Sequence, residues 1–231
     1  MQTEEDFKSG QVICIDKPLN WTSFQVVNKI RWKLKKTFGL KKIKVGHAGT
    51  LDPLATGLLI ICTGKKTKSI NTYQDQTKEY TGIITLGSTT PSYDLETEFD
   101  GFYPTTHINE SLVQDARKEF IGEIKQYPPI FSAIKKDGKR LYELARAGEK
   151  TTLEPRTVRI DNFEITEFKD NQVHFRVVCS KGTYIRSLAH DFGKALGSGG
   201  HLSELRRTKI GDFKVEQANS IEAFIEQLDQ C

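Results

Sequence analysis

Short runs of apolar and β-branched residues predict strands at Gln11–Asp16, Ile43–Gly46, Leu58–Cys62, Tyr80–Leu86, Val158–Phe168 and Val173–Cys179. In IDNFEITEF the alternation is imperfect, because Ile160, Phe163 and Ile165 only partly keep one face. Between these runs the helix candidates are Thr22–Thr37, Lys66–Tyr73, Asn109–Ile121, Arg140–Ala147, Thr183–Leu196 and Ser220–Leu228. Thr22 with Gln25, and Asn219 with Glu222, have the spacing of N-terminal caps, and Gly148 that of a stop. Strands and helices do not alternate strictly, which predicts an α+β fold with a largely antiparallel or mixed sheet, not a doubly wound one. No repeat or Pro/Gly/Ser-rich linker divides the 231 residues, so one domain spanning 1–231 is expected.

Within Thr22–Lys44, Val27, Ile30, Leu34 and Phe38 share one helical face while Lys29, Lys33 and Lys36 fall on another. Eight basic residues and no acidic one lie between Lys29 and Lys44. A solvated basic face would explain the lysines; the complete absence of acids favours contact with phosphates. Charge is uneven over the whole chain too: residues 1–90 carry 14 basic against 7 acidic side chains, whereas residues 91–130 carry 3 against 8. Such concentration is expected of a surface facing nucleic acid. The acidic stretch Asp94–Asp100 is placed on a rim away from any RNA backbone.

Cys14, Cys62, Cys179 and Cys231 are widely separated, which supports neither a disulfide framework nor a zinc knuckle and fits a reducing cytoplasm. The polar, acidic N-terminus is unlike a signal peptide, and the uncharged run Pro53–Gly64 is too short for a membrane span. GLLIICTGKK at Gly57–Lys66 lacks P-loop spacing and the Ser or Thr that would hold magnesium. The five histidines show no ligand spacing, and no G-x-S-x-G elbow occurs. No metal and no cofactor are expected.

GHAGTLDPLATG, Gly46–Gly57, carries three glycines and an Asp-Pro pair between two predicted strands. Pro53 pushes Asp52 toward extended backbone, and the glycines permit sharp turns or close approach. A structural turn aspartate is the common reading of such a pair; the neighbouring His, Thr and basic segment shift weight toward chemistry.

These residues resemble the TruB-type family of tRNA pseudouridine synthases, which isomerise uridine 55 in the T-arm. The similarity rests on DKP with WTSF at Asp16–Phe24, GHAGTLDPLATGLLIICTGKKTK at Gly46–Lys68 and KEYTGIITLGSTTPSYDLET at Lys78–Thr97. It continues through PPIFSAIKKDGKRLYELARAG at Pro128–Gly148, CSKGTYIRSLAHDFG at Cys179–Gly193 and HLSELRRTKIG at His201–Gly211. The resemblance implies the pseudouridine synthase fold, a mixed, largely antiparallel sheet flanked by helices around an RNA-binding cleft. It also implies a thumb-like RNA-binding insertion at 128–148. Many family members carry a further C-terminal RNA-binding domain; here only a short helical tail, 216–231, follows the shared region.

By the same resemblance Asp52 is the catalytic carboxylate, by base addition, sugar attack or elimination. Arg186 pairs with it and keeps it ionised, and Tyr80 stacks on the flipped uracil. Tyr184 and Leu205 line the uridine pocket, His47 fills the gap left by the base, and Lys17 supports the site or contacts phosphate. Lys135 contacts RNA from the thumb. The implied partner is the T-arm stem-loop of tRNA, bound by a monomer with no membrane association. A non-catalytic T-arm-binding chaperone of the same fold is the alternative. A nucleoside hydrolase fits less well, because no motif supplies a second positioned carboxylate.

Overall fold

The computed structural model describes residues 3–132, 135–136, 139–140 and 153–230. They form two compact units, one of residues up to 80 together with 206 onward, the other of residues 81–205. The strands are β1 (Val12–Lys17), β2 (Val45–His47), β3 (Ala55–Thr63), β4 (Lys78–Leu86), β5 (Ser88–Thr89), β6 (Gly101–Phe102) and β7 (Gly122–Gln126). They continue with β8 (Lys135–Lys136), β9 (Lys139–Arg140), β10 (Arg156–Lys169), β11 (Gln172–Cys179), β12 (Gly200–Ile210) and β13 (Phe213–Lys214). The sheet is mostly antiparallel and flanked by helices, an α+β architecture.

In the first unit β3 pairs antiparallel with β1, from Val12↔Cys62 to Lys17↔Gly57, and with β2, from Val45↔Thr63 to His47↔Ile61. Its apolar run is continuous because both of its faces are covered. Leu59 and Ile61 join Val26, Ile30 and Leu34 of the helix Ser23–Thr37 and Phe224 of the helix Ile221–Asp229. Leu58, Ile60 and Cys62 pack on the other side with Ile210 and Val215. Thr22 caps its helix through a reciprocal pair with Gln25, as expected. Lys33 departs from expectation: it is buried and ion-paired with Asp229, so it belongs to the helix–helix packing and not to the solvated face.

In the second unit β10 pairs with β11 and β7. Bulges between Ile160 and Asn162 and between Ile165 and Glu167 shift the side-chain parity. That is why Ile160 and Phe163, three residues apart, are both fully buried. Phe163 meets Phe120, Phe175 and Phe192 edge-on, fastening the helix Ile185–Ala195 to the strands.

Three other expectations change. The 66–73 helix is a 3₁₀ turn, Gly64–Ser69, followed by Ile70–Gln74, and the 109–121 helix ends at Ala116 before a 3₁₀ turn. Ser220, not Asn219, caps the last helix, because the Asn219 backbone is taken up by β1 through Cys14 and Asp16. The helix Glu4–Ser9 and strand β12 had no expected counterpart. The helix expected from residue 140, its stop at Gly148 and most of the thumb lie outside the described residues.

Candidate active site

The loop from Ala48 to Leu54 is fixed through its backbone. Ala48 N–H donates to Ile60 O (2.9 Å), Ala55 N–H to Asp52 O (3.1 Å), and Asn20 N–H to Pro53 O (2.9 Å). Ser23, at the start of its helix, accepts from Leu51 N–H (2.9 Å) and donates to Leu51 O (3.1 Å). Asp52 is therefore held on both sides, with its side chain half-buried. Gly57, at φ +102°, leaves no room for a side chain, since a Cβ would lie 2.3 Å from Arg207 O.

Two buried cations support this loop. Lys17 is fully buried, and its ammonium donates to Trp21 O (2.6 Å), Pro18 O (2.9 Å) and Pro53 O (3.4 Å). Burial pulls its pKa down to about 8; the Asp52 carboxylate works against that shift and Arg207 adds to it. Arg207, 1% exposed, donates through Nε to Leu58 O (2.8 Å) and through Nη2 to Gly49 O (3.0 Å), so it grips both ends of the loop. Its neighbour Arg206 takes Asp16 in a two-pronged pair at 2.6 and 3.0 Å. His47 is held below the usual imidazole range by burial and by the Arg207 charge, with a backbone hydrogen bond at Gly49 working against both. Its Nδ1 is buried with no hydrogen-bond partner among the described residues. Tyr80 closes the unit in β4, 9% exposed.

In the second unit Arg186 occupies the first turn of its helix, where a cation opposes the helix dipole. The penalty is offset locally. Nη1 donates to Ser92 O (3.3 Å), Nη2 to Phe131 O (3.0 Å), and Asp94 Oδ2 lies 3.6 Å from Nη1, with both side chains buried. The acidic stretch is thus not all rim: Asp94 turns inward as the partner of Arg186. The loop is shaped to deliver it, with Thr90 and Ser92 hydroxyls donating to Asp94 O and Tyr93 at φ +64° stacked on His190 at 3.9 Å. Tyr184 is fastened by Gln126, which accepts its N–H (2.7 Å) and donates to its carbonyl (3.0 Å). Leu205 is half-buried in β12. Lys135 lies on β8, paired opposite Arg140 on β9; its side chain is outside the described residues.

In the first unit the Asp52 charge acts on the Lys17 ammonium, and the Arg207 charge acts on both Lys17 and His47. The second holds Arg186 and Tyr184. Sequence reasoning missed Ser23, Arg207, Asp94 and Gln126. The available signal for Arg207 was the paired arginine of LRR beside the singled-out Leu205. Among the described residues no three His, Cys, Asp or Glu side chains cluster as metal ligands, and no helix is long and apolar enough to cross a membrane.

Residues 35–185 match the model of the TruB family pseudouridylate synthase N-terminal domain, and residues 186–230 that of the tRNA pseudouridylate synthase B C-terminal domain. The chain belongs to the TruB family of pseudouridylate synthases. Within this family it is 63% identical to the tRNA pseudouridine synthase B of Flavobacterium johnsoniae, covering 98% of this chain and 99% of that one. It is 45% identical to that of Chlorobaculum tepidum, over 97% and 93%. Among solved structures, the chain in a Cbf5–Nop10–Gar1 complex superposes with a TM-score of 0.73 at 33% identity. A second, from an H/ACA RNP bound to a substrate RNA containing 2′-deoxyuridine, gives 0.68 at 32%. These alignments cover 97% and 95% of this chain but only 56% and 53% of those chains, so the protein spans about half their length.

Two tests arise from this TruB-family site. Arg207→Met is expected to raise the His47 pKa by removing a cation that depresses it, and to destabilise the fold by about 1–3 kcal/mol as carbonyls lose a buried donor. NMR titration of His47 and urea unfolding check both; an unmoved imidazole contradicts the assigned electrostatics. Lys17 gives a pH signature. Folded, it discharges near pH 8, whereas an unfolded lysine keeps its proton to about pH 10.4. Its contribution to stability therefore rises between those values. The ammonium charge that acts on Asp52 is meanwhile lost, so the single-turnover rate is expected to fall above pH 8. A flat rate from pH 7 to 9.5 rejects a role for that charge.

Proposed function

We propose that this protein converts uridine 55 in the T-arm of tRNA to pseudouridine, with Asp52 as the reacting carboxylate. The observation that carries the reading is the loop itself: a half-buried aspartate is anchored through its backbone on both sides, and a buried ammonium bonds the carbonyl of the next residue, Pro53. Relatives of the same length named tRNA pseudouridine synthase B support the substrate class. The isomerisation breaks N1–C1′, forms C5–C1′, moves the C5 proton to solvent and leaves N1 protonated. Redox state is unchanged, and no cofactor is needed.

A base stacked inside the T-loop must leave its stack to be reached. The family resemblance gives His47 the space so vacated. By the same resemblance Tyr80 receives the extruded uracil, and Tyr184 and Leu205 line it. The resemblance also makes Arg186, itself steadied by Asp94 and two carbonyls, the cation that keeps Asp52 ionised. Lys17 holds the Pro53 side of the loop and stabilises the same negative charge. Lys135, with Lys136, Lys139 and Arg140 close to it in the sequence, contacts phosphates of the RNA.

The deciding assay is tritium release from an unmodified T-arm stem-loop labelled at uridine C5. The protein is expected to release one equivalent per strand; binding without release would favour a T-arm-binding chaperone.

A further inference from the structure

The helix Ser23–Thr37 has a face that neither the core nor the reacting loop uses. With Val26, Val27, Ile30 and Leu34 buried, its outer ridge exposes Phe24, Asn28, Lys29, Trp32, Lys35 and Lys36. Trp32 is 52% exposed, and the ammonium groups of Lys29 and Lys36 lie 5.4 and 5.2 Å from its ring centroid. Beside it runs an open groove lined by Asn28, Arg31, Trp32, Lys35, Lys36 and Leu40. One wall is preset, since Arg31 donates to Asn28 Oδ1 (2.7 Å) and Val45 O (2.8 Å). Lys41, Lys42 and Lys44 extend the exposed charge past the end of the helix.

We propose that this ridge, centred on Trp32, is a second contact for the substrate RNA, gripping backbone distal to the target uridine. The inference rests on the reading of the protein as an RNA-modifying enzyme. Lysines in the last turn complement the helix dipole, but Lys29 in mid-helix gains nothing from it. No acidic residue between positions 29 and 44 offsets the crowded charges; Lys33 is neutralised by Asp229. A polyanion is the complement such a surface lacks. An exposed aromatic bracketed by cations is the arrangement that holds a base on its ring and the flanking phosphates on its edges.

Position adds the reach. The helix begins at Ser23, which is bonded to Leu51, the residue before Asp52. At about 1.5 Å per residue, Trp32 and Lys36 stand about 14 and 20 Å further along its axis. RNA whose reactive nucleotide lies at Asp52 can therefore continue along the ridge. Two exposed aromatic residues on a ridge of lysines offer little to insert into a lipid surface, so RNA is the favoured occupant.

The test uses the full chain with Lys29, Lys35 and Lys36 changed to glutamine, which preserves helix propensity, and separately Trp32→Ala. Binding of unmodified full-length tRNA is measured across a salt series, apart from turnover. The triple variant is expected to bind about 10-fold more weakly or worse, with the slope of log K against log salt reduced by about 2–3. Its rate at saturating RNA stays at the wild-type value. Trp32→Ala weakens binding about 5-fold or more with little change in slope. A minimal hairpin, with a stem too short to reach 14 Å from the target, shows neither effect.

Unchanged affinity and slope overturn the proposal. So does a loss that falls on the saturating rate, or an equal loss with the minimal hairpin. Lysine-dependent sedimentation with phosphatidylserine vesicles, with tRNA binding intact, would assign the ridge to membrane instead. Wild-type protein that binds tRNA through these lysines yet releases no tritium would sink the catalytic reading and leave this one standing; release without the lysine effect would do the reverse.

Discussion

Arg186→Met is expected to cost about 3–5 kcal/mol of folding stability, because it strands the buried Asp94 carboxylate and removes a donor from Ser92 O and Phe131 O. Arg186→Lys should be only a partial remedy. One ammonium is a point charge that cannot reproduce the guanidinium's reach to two carbonyls and a carboxylate. Pairing Arg186→Met with Asp94→Leu removes both charges together and should recover part of the loss. Urea unfolding of the two single variants and the double variant forms the cycle. A loss below about 1 kcal/mol for Arg186→Met would mean that the buried pair contributes nothing the solvent cannot replace. The doubly substituted protein should regain stability but not isomerisation, which separates Arg186's structural role from its proposed effect on Asp52.

For Asp52→Asn, the single-turnover rate should fall at least about 10³-fold, within the range for loss of a positioned acid–base or nucleophilic group. Binding of the T-arm stem-loop should change by less than about threefold. The contrast follows from the loop's construction: the contacts of Leu51, Pro53 and the Asp52 carbonyl that hold it are backbone contacts, which an amide side chain leaves in place. The same substitution removes the carboxylate that supports the Lys17 charge, so the lysine pKa should move further below about 8. A variant that keeps its rate would clear Asp52 of the chemistry. One that loses RNA binding in step with its rate would make Asp52 a recognition residue.

Where a strand's residues are apolar on both sides, as in Leu58–Cys62, the pattern can be read directly because both faces are covered. The strand Gly200–Ile210 escaped notice for the opposite reason. Its Ser203, Glu204, Arg206, Arg207 and Lys209 break any apolar alternation, since this strand presents polar side chains to other backbone and to the reacting loop. Charge misled in the same way. Lys33 reads as solvated and Asp94 as a rim acid, yet each is buried against a partner distant in sequence, Asp229 and Arg186. Periodicity measures burial of apolar groups and is silent about buried charges that satisfy one another. Asp52 was legible because Asp-Pro among glycines limits the backbone, and the motif resemblance marked it. Ser23 was not, because a serine that opens a helix looks the same whether or not its hydroxyl also holds a loop.

The position at which the new nucleoside appears tests the role of Asp52 most directly. Unmodified full-length tRNA should be incubated with the purified protein and with its Asp52→Asn variant, then digested to fragments whose nucleosides are separated and identified. One pseudouridine at position 55 with the wild-type protein and none with the variant is the predicted outcome. Uridine persisting at 55 with the wild-type protein, or pseudouridine formed there equally by the variant, would contradict it.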